Sequence, residues 1–328
     1  MKLLWVVLAA TLVACGSSDV GSGQGSDLRT DVGPLPTESV IWSTGDAIHV
    51  GDRTIRVGAP VKAMVAARGR IYYLAGRAET LWSTDGTKSR RTRYQTDELR
   101  ASPDGRYLGF FDHSDGMPWS TVVVDLEHDE VVVDDDTGMG DADHDLPDLY
   151  EDAEPHVLGF EDDEFYVQTA SGNEVLSWDV ASGKRTTHGS DFFFHTPDPG
   201  GGRLLPALVK RGRLVVPDDP YMSTQWGHQS PDGAVTFQEN GRGTDVFAVD
   251  SGEELPADLK GRTFLLGGWT DSATAYGMAF DRSPFGRPVR LVSCRITLQE
   301  QSCDVLRTVR PPRDELVLFP TGSAARDY

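Results

Sequence analysis

At 328 residues, with 38% hydrophobic and 25% charged side chains, the chain can bury a large core and is too polar to be a bundle of membrane helices. Its 51 acidic against 31 basic residues give a net charge of −20, which repels phosphate backbones and argues against a nucleic-acid partner.

The first element is a leader. Met1-Lys2 is followed by an apolar run from Leu3 to Val13, a charged-then-apolar layout that reads as a secretory signal and is too short to span a bilayer. The run ends in Leu12-Val13-Ala14-Cys15-Gly16, which resembles the lipobox of bacterial lipoproteins. That resemblance implies removal of residues 1–14, a diacylglyceryl thioether on Cys15, and a lipid-anchored protein on the extracytoplasmic face of the cell membrane. An ordinary signal peptide with an incidental cysteine is the alternative. Residues 15–37 begin with a Gly/Ser run, Gly16 to Ser26, that lacks apolar periodicity and reads as a flexible tether. Two acyl chains suffice for stable anchoring, so the lipid is the expected membrane contact.

From residue 38 to residue 320 the chain reads as short β-branched or aromatic runs broken by Gly, Asp, Pro and Ser, without long helical periodicity. The runs repeat. Ile41-Trp42-Ser43-Thr44-Gly45 returns as Leu81-Trp82-Ser83-Thr84-Asp85-Gly86, and Ser177-Trp178-Asp179-Val180-Ala181-Ser182-Gly183 is echoed by Phe247-Ala248-Val249-Asp250-Ser251-Gly252. A second motif, Ser102-Pro103-Asp104-Gly105 before an alternating strand, returns as Ser230-Pro231-Asp232-Gly233. Its turn chemistry is explicit: Pro sets φ at the first corner, Asp bonds its own backbone, and Gly takes the left-handed position. A weaker version stands at Ala67-Arg68-Gly69-Arg70.

Turn, strand, turn, strand at roughly forty residues is the length of one four-stranded propeller blade. On these motifs the chain resembles the TolB-type and WD-repeat-like β-propellers, which implies an all-β ring of six or seven blades over residues 38–320, with seven slightly favoured, and a short tail over 321–328. The stretch Asp191 to Trp226 departs most from the repeat, with two candidate strands, Leu204 to Val209 and Arg213 to Val216. Ring closure is expected from Glu315 to Phe319 joining the sheet begun by Ser39 to Trp42.

Residues 134–154 form an acidic insertion with ten carboxylates and no Lys or Arg. Within it Asp141, Asp143, Asp145, Asp148 and Glu151 resemble the calcium-binding aspartate ladders of thrombospondin type 3 repeats and EF-hand-like loops, which implies a Ca²⁺ site; Leu146 stands where that pattern has glycine. The competing reading is a solvated inter-blade loop whose like charges repel.

Cys294 and Cys303 are the pair an oxidising compartment would join, and closing so short a loop is worth about 2.5–3 kcal/mol. No zinc-helix motif, phosphate loop or nucleophile elbow occurs, so no catalytic residue is assigned. His113, His156, His188, His195 and His228 are far apart in sequence; only a ring axis could bring His195 or His228 to Asp218, Asp219 or Asp232. Trp42, Trp82 and Trp178 fall at blade spacing, as inter-blade packing requires. Tyr221 and Trp226 sit in an irregular aromatic loop and are the candidate recognition residues.

The expected function is a non-catalytic binding or scaffolding module that engages an envelope protein or ligand through its loops or axial face, with no obligatory cofactor. An envelope enzyme acting on a carbohydrate or peptide in the axial pocket, and a Ca²⁺-dependent adhesion or sensing module, are the alternatives.

Overall fold

A computed structural model describes Ser26, Leu28 and residues 40–322, apart from positions 77–78, 141–153, 171, 173, 190–191, 193, 195–196, 199, 219–222, 224, 241–242, 258, 260–261, 282 and 314. Among the described residues there is no helix; every regular element is a strand.

Each hairpin turn in this chain returns the backbone beside the strand it just left, so the strands stack into small antiparallel sheets in sequence order. Blade 2 is β4 (Val61–Ala67), β5 (Arg70–Ala75), β6 (Thr80–Thr84) and β7 (Ser89–Gln95). Blade 3 is β8 (Leu99–Ala101), β9 (Tyr107–Asp112), β10 (Ser120–Asp125) and β11 (Glu130–Asp135). Blade 4 is β12 (His156–Glu161), β13 (Glu164–Gln168), β14 (Val175–Asp179) and β15 (Arg185–His188). Blade 6 is β23 (Thr263–Trp269), β24 (Thr274–Phe280), β25 (Val289–Ile296) and β26 (Gln301–Val309). In each the middle strands are buried and the last strand is largely exposed, so the first strand lies toward the axis and the last at the rim.

Blade 1 joins the two ends of the ring. It holds β1 (Ile41–Thr44), β2 (Ala47–Val50) and β3 (Arg53–Arg56), and its inner position is taken by the C-terminal segment. The Ser43 N–H donates to the Leu318 carbonyl at 2.8 Å and the Leu318 N–H donates back to Ser43 at 3.0 Å. Leu316, Val317, Leu318 and Phe319 are all buried, so the expected closure between Glu315–Phe319 and the first sheet is present.

The ring has six blades, and the slightly favoured count of seven is corrected. Residues 191–226 do not build a blade. One strand, β16 (Arg203–Pro206), is added to the inner edge of blade 5, ahead of β19 (Trp226–Gln229), β20 (Val235–Asn240), β21 (Gly243–Ala248) and β22 (Glu254–Leu255). The other two, β17 (Leu208–Lys210) and β18 (Arg213–Val215), pair only with each other. Pro206 lacks the N–H to continue a ladder, and the chain divides there into two short strands rather than one long one.

Apolar clusters fill the seams between blades. Tyr72 and Leu74 of blade 2 meet Leu108 and Phe110 of blade 3; Phe111 and Val123 of blade 3 meet Phe165 and Trp178 of blade 4; Phe237 of blade 5 meets Phe264 and Trp269 of blade 6. Blade 1 packs on blade 2 through Ile48 and Tyr73 and on blade 6 through Trp42 and Met278. Trp42 and Trp178 are buried and Trp82 packs partly buried against the first seam, in keeping with a structural role for the repeated tryptophans. The seam between blades 4 and 5 differs: among the described residues no such cluster bridges it, and Tyr166, His188, Phe192 and Phe194 stack there with ring centroids 4.2–5.7 Å apart.

Leu28, from the stretch read as tether, is fully buried in the seam between blades 2 and 3. The Ser26 hydroxyl donates to the Asp129 carboxylate and the Ser26 N–H to the Asp129 carbonyl at 3.2 Å.

Candidate binding site at the ring axis

A cavity of about 320 Å³ opens at the axis, and its wall draws on the whole ring: Ile41 from blade 1, Arg70 from blade 2, Asp104 from blade 3, Phe160 from blade 4, Asp198 from the segment entering blade 5, and Trp269 from blade 6. The lining lies at the face where each first strand turns into its second, and the Ser-Pro-Asp-Gly turn of blade 3 is part of it.

That turn is built identically in blades 3 and 5. The Ser102 hydroxyl donates to Asp104 at 2.6 Å, Asp104 accepts the Arg106 N–H at 2.9 Å, and Ser102 Oγ accepts the Tyr107 N–H at 2.9 Å. Ser230, Asp232, Ala234 and Val235 repeat the three bonds at 2.6, 3.0 and 3.1 Å. Gly105 and Gly233 sit at φ of 69° and 75°, the left-handed region that a side chain would strain. Asp104 and Asp232 are therefore committed to their own turns.

Most charges around the cavity are likewise spent. Arg68 pairs with Glu127 at 2.8 Å, and Arg100 with Glu98 at 2.5 Å. His228 on β19 holds the Asp198 carboxylate through Nδ1, at 3.0 and 3.1 Å to its two oxygens. Protein surrounds His228, and this burial alone would lower its pKa; the Asp198 charge and hydrogen bond, with Glu239 beyond, outweigh it and raise the pKa above the ordinary histidine value. The side chain still keeps 36% of its area accessible.

The Asp partner of His228 is Asp198, not Asp218 or Asp232. The ring bonds to Asp198 alone among the described residues. A hydroxyl–imidazole pair, Ser177 Oγ and His188 Nε2 at 2.8 Å, lies in blade 4, where Ser177 is fully buried between strands. His113 stacks on Trp119 at 3.8 Å and His156 begins β12; the described histidines do not converge. Among the described residues no three His, Cys, Asp or Glu side chains group closely enough to hold a metal ion.

Cys294 and Cys303 are disulfide-bonded across β25 and β26, with Cα atoms 4.0 Å apart and Cys294 in the core between blades 5 and 6. Trp226 opens β19 and is 39% exposed, near the apolar surface that Val209, Val215 and Val216 give the β17–β18 hairpin. Cys15, the acidic ladder of Asp141, Asp143, Asp145, Asp148 and Glu151, Tyr221, His195 and Asp219 lie outside the described residues.

Two cavity residues had no signal of their own in sequence: Asp198, in an irregular stretch, and Arg70. Setting Gly69-Arg70 against Gly105-Arg106 would have exposed Arg70 as the arginine that follows the same turn one blade earlier.

No protein-family model matches the chain, and no curated protein matches it. Solved structures similar to it are propellers. They include a putative TolB from Agrobacterium tumefaciens, with 13% identity over 85% of this chain and 96% of that one at a TM-score of 0.39. The WD40 repeats of RRP9 share 12% identity over 78% of this chain and 82% of theirs, TM-score 0.40. The β-propeller domain of the Trilobed protease from Pyrococcus furiosus shares 12% over 76% and 84%, TM-score 0.43. The propeller assignment itself stands on the six sheets and their closure.

Proposed function

We propose that the protein is a lipid-anchored, extracytoplasmic, non-catalytic binding module whose ligand enters the axial cavity. The observation that supports it is the cavity wall: one concave site of about 320 Å³, assembled from five blades and the segment entering blade 5 and mixing aromatic walls with a few polar groups, is the form that small-molecule sites take. The lipobox resemblance supplies the anchor at Cys15. The docking of Ser26 on Asp129 then leaves eleven positions between lipid and ring, a reach of at most about 40 Å. Asp129 follows β10 on the face that also carries Arg68 and Arg70, which share a second cavity with it.

The test has two parts. Cys15→Ser should move a folded protein from the membrane to the soluble fraction. Ala66→Trp, at an exposed position of the cavity wall, should block the mouth without disturbing the core. Wild-type protein incubated with an envelope metabolite extract and then dialysed should retain a small molecule by native mass spectrometry, and Ala66→Trp should not. Equal retention by both, or none by either, would sink the axial reading. Conversion of a retained molecule to product would instead favour the enzyme alternative, with His228 and Asp198 as its first candidates.

A further inference from the structure

Arg70 follows Gly69 at the turn into β5, as Arg106 follows Gly105 at the turn into β9. In blade 3 that arginine is fully used: Arg106 grips Asp125 with Nη2 at 2.6 Å and Nε at 3.1 Å. The aspartate that ends the third strand of blade 2, Asp85, is spent otherwise. Its Oδ1 accepts the Thr87 N–H and hydroxyl, both at 2.7 Å, and the Lys88 N–H at 3.1 Å. Arg70 acts on Asp85 only through its field and makes no hydrogen bond or ion pair among the described residues.

A buried guanidinium nitrogen without a partner is costly, and although Glu127 and Asp129 line the smaller cavity with Arg70, neither pairs with it. Arg70 is the one arginine with such a nitrogen among the described residues. It lines the axial cavity and also the smaller cavity of about 180 Å³ under Leu28. The one other wall residue with a buried unpartnered side-chain atom is Trp269, whose Nε1 packs against Gly202. The other charged residues of the wall, Arg68, Arg100, Asp104 and Asp198, all have partners inside the protein.

A wall whose one unpaired charge is a guanidinium selects an acceptor that carries negative charge. We infer that Arg70 is the anchor for an oxyanion, the carboxylate or phosphate of a small molecule held in the axial cavity. The planar guanidinium suits either group, and the surrounding Phe160, Trp269 and Tyr276 give the remainder of the ligand an apolar wall. The inference rests on the axial reading above and names the chemistry of that site.

The experiment compares wild-type mature protein with Arg70→Met and Ala66→Trp. Melting temperature is followed against inorganic phosphate and, separately, acetate, with ionic strength held constant by chloride. Wild type should show a saturable rise with phosphate, acetate or both; a response to one alone identifies the group the ligand carries. Arg70→Met should melt higher than wild type in chloride, because an unmet buried charge has gone, and should bind the responding anion at least about tenfold more weakly. A purely structural arginine would give the opposite sign in chloride. Absence of an anion-specific rise in wild type, an equal rise in Arg70→Met, or a persistent rise in Ala66→Trp would each overturn the inference. If Ala66→Trp abolishes small-molecule retention while Arg70→Met leaves it intact, the axial reading survives and the oxyanion does not.

Discussion

Blades 3 and 5 carry the same Ser-Pro-Asp-Gly turn, bonded in the same way, yet they sit in the ring on different terms. Blade 3 is flanked by continuous apolar clusters on both sides, through Leu108 and Phe110 to blade 2 and through Phe111 and Val123 to blade 4. Blade 5 shares such a core only with blade 6, among the described residues; toward blade 4 it faces half-buried aromatic rings and the irregular chain that precedes β16. Local turn chemistry thus sets a blade's internal hairpins, while the quality of its two seams decides how firmly it is held. The added β16 strand and Asp198 both come from the weak side, so the ring gives up regular packing where it brings a charged pair to the axis.

The largest test of this contrast is to remove the other unusual seam. Deleting residues 315–328 takes away the buried inner strand of blade 1 and the apolar bridge it makes to blades 2 and 6. A ring already weak between blades 4 and 5 would then be open in two places. Thermal unfolding should lose its single cooperative transition, seen as separate steps by calorimetry and by near-UV circular dichroism. A deletion variant that melts like the full chain would show that closure contributes nothing and that the seams are independent.

Next in size is a pair of truncations. Phe110→Ala empties a fully buried position in the seam of blades 2 and 3 and should cost about 3–5 kcal/mol by urea denaturation. Phe194→Ala, in the seam of blades 4 and 5, removes a ring that stacks on Tyr166 at 4.9 Å but remains partly exposed, and should cost less than about half as much. Equal costs would erase the distinction between the two seams.

Much of this architecture was legible in the sequence because it is local. The Ser-Pro-Asp-Gly turns and the turn after the Asp that ends a third strand are written within a few residues, and their bonds close within five. The Cys294–Cys303 pair spans adjacent strands and was equally readable. The blade count was less so, since residues 191–226 have the length and polarity of a blade, and only pairing partners reveal that β16 belongs to blade 5 and that Leu208 and Val215 face each other. The axial wall was least legible. Arg70 and Asp198 stand 128 positions apart and become neighbours of one cavity only after blades 2 to 4 have turned around the axis. Leu28 likewise reads as one apolar residue in a polar tether until the seam that receives it exists.

The two blades also predict opposite responses to pH. In blade 3 burial alone would raise the Asp125 pKa, but Arg106, His128 and the Glu127 and His128 N–H groups outweigh it and hold the carboxyl well below the usual carboxylate range. A depressed pKa means that this contribution is complete above about pH 4, the unfolded value, and is lost as pH falls toward the folded one. In blade 5 His228 is raised by Asp198, so its contribution is complete below about pH 6.5 and fades as pH rises through the folded pKa. Asp125→Asn should therefore flatten the acid limb of the melting-temperature profile and leave the neutral limb unchanged. Asp198→Asn should do the reverse, removing a loss of stability that sets in above about pH 6.5 while the acid limb stays. The second effect is the smaller, because the His228 side chain is 36% accessible and solvent screens its partner's charge. If both variants changed the same limb, the ion pairs of the regular and irregular blades would be answering to one shared unfolding event rather than to their own titrations.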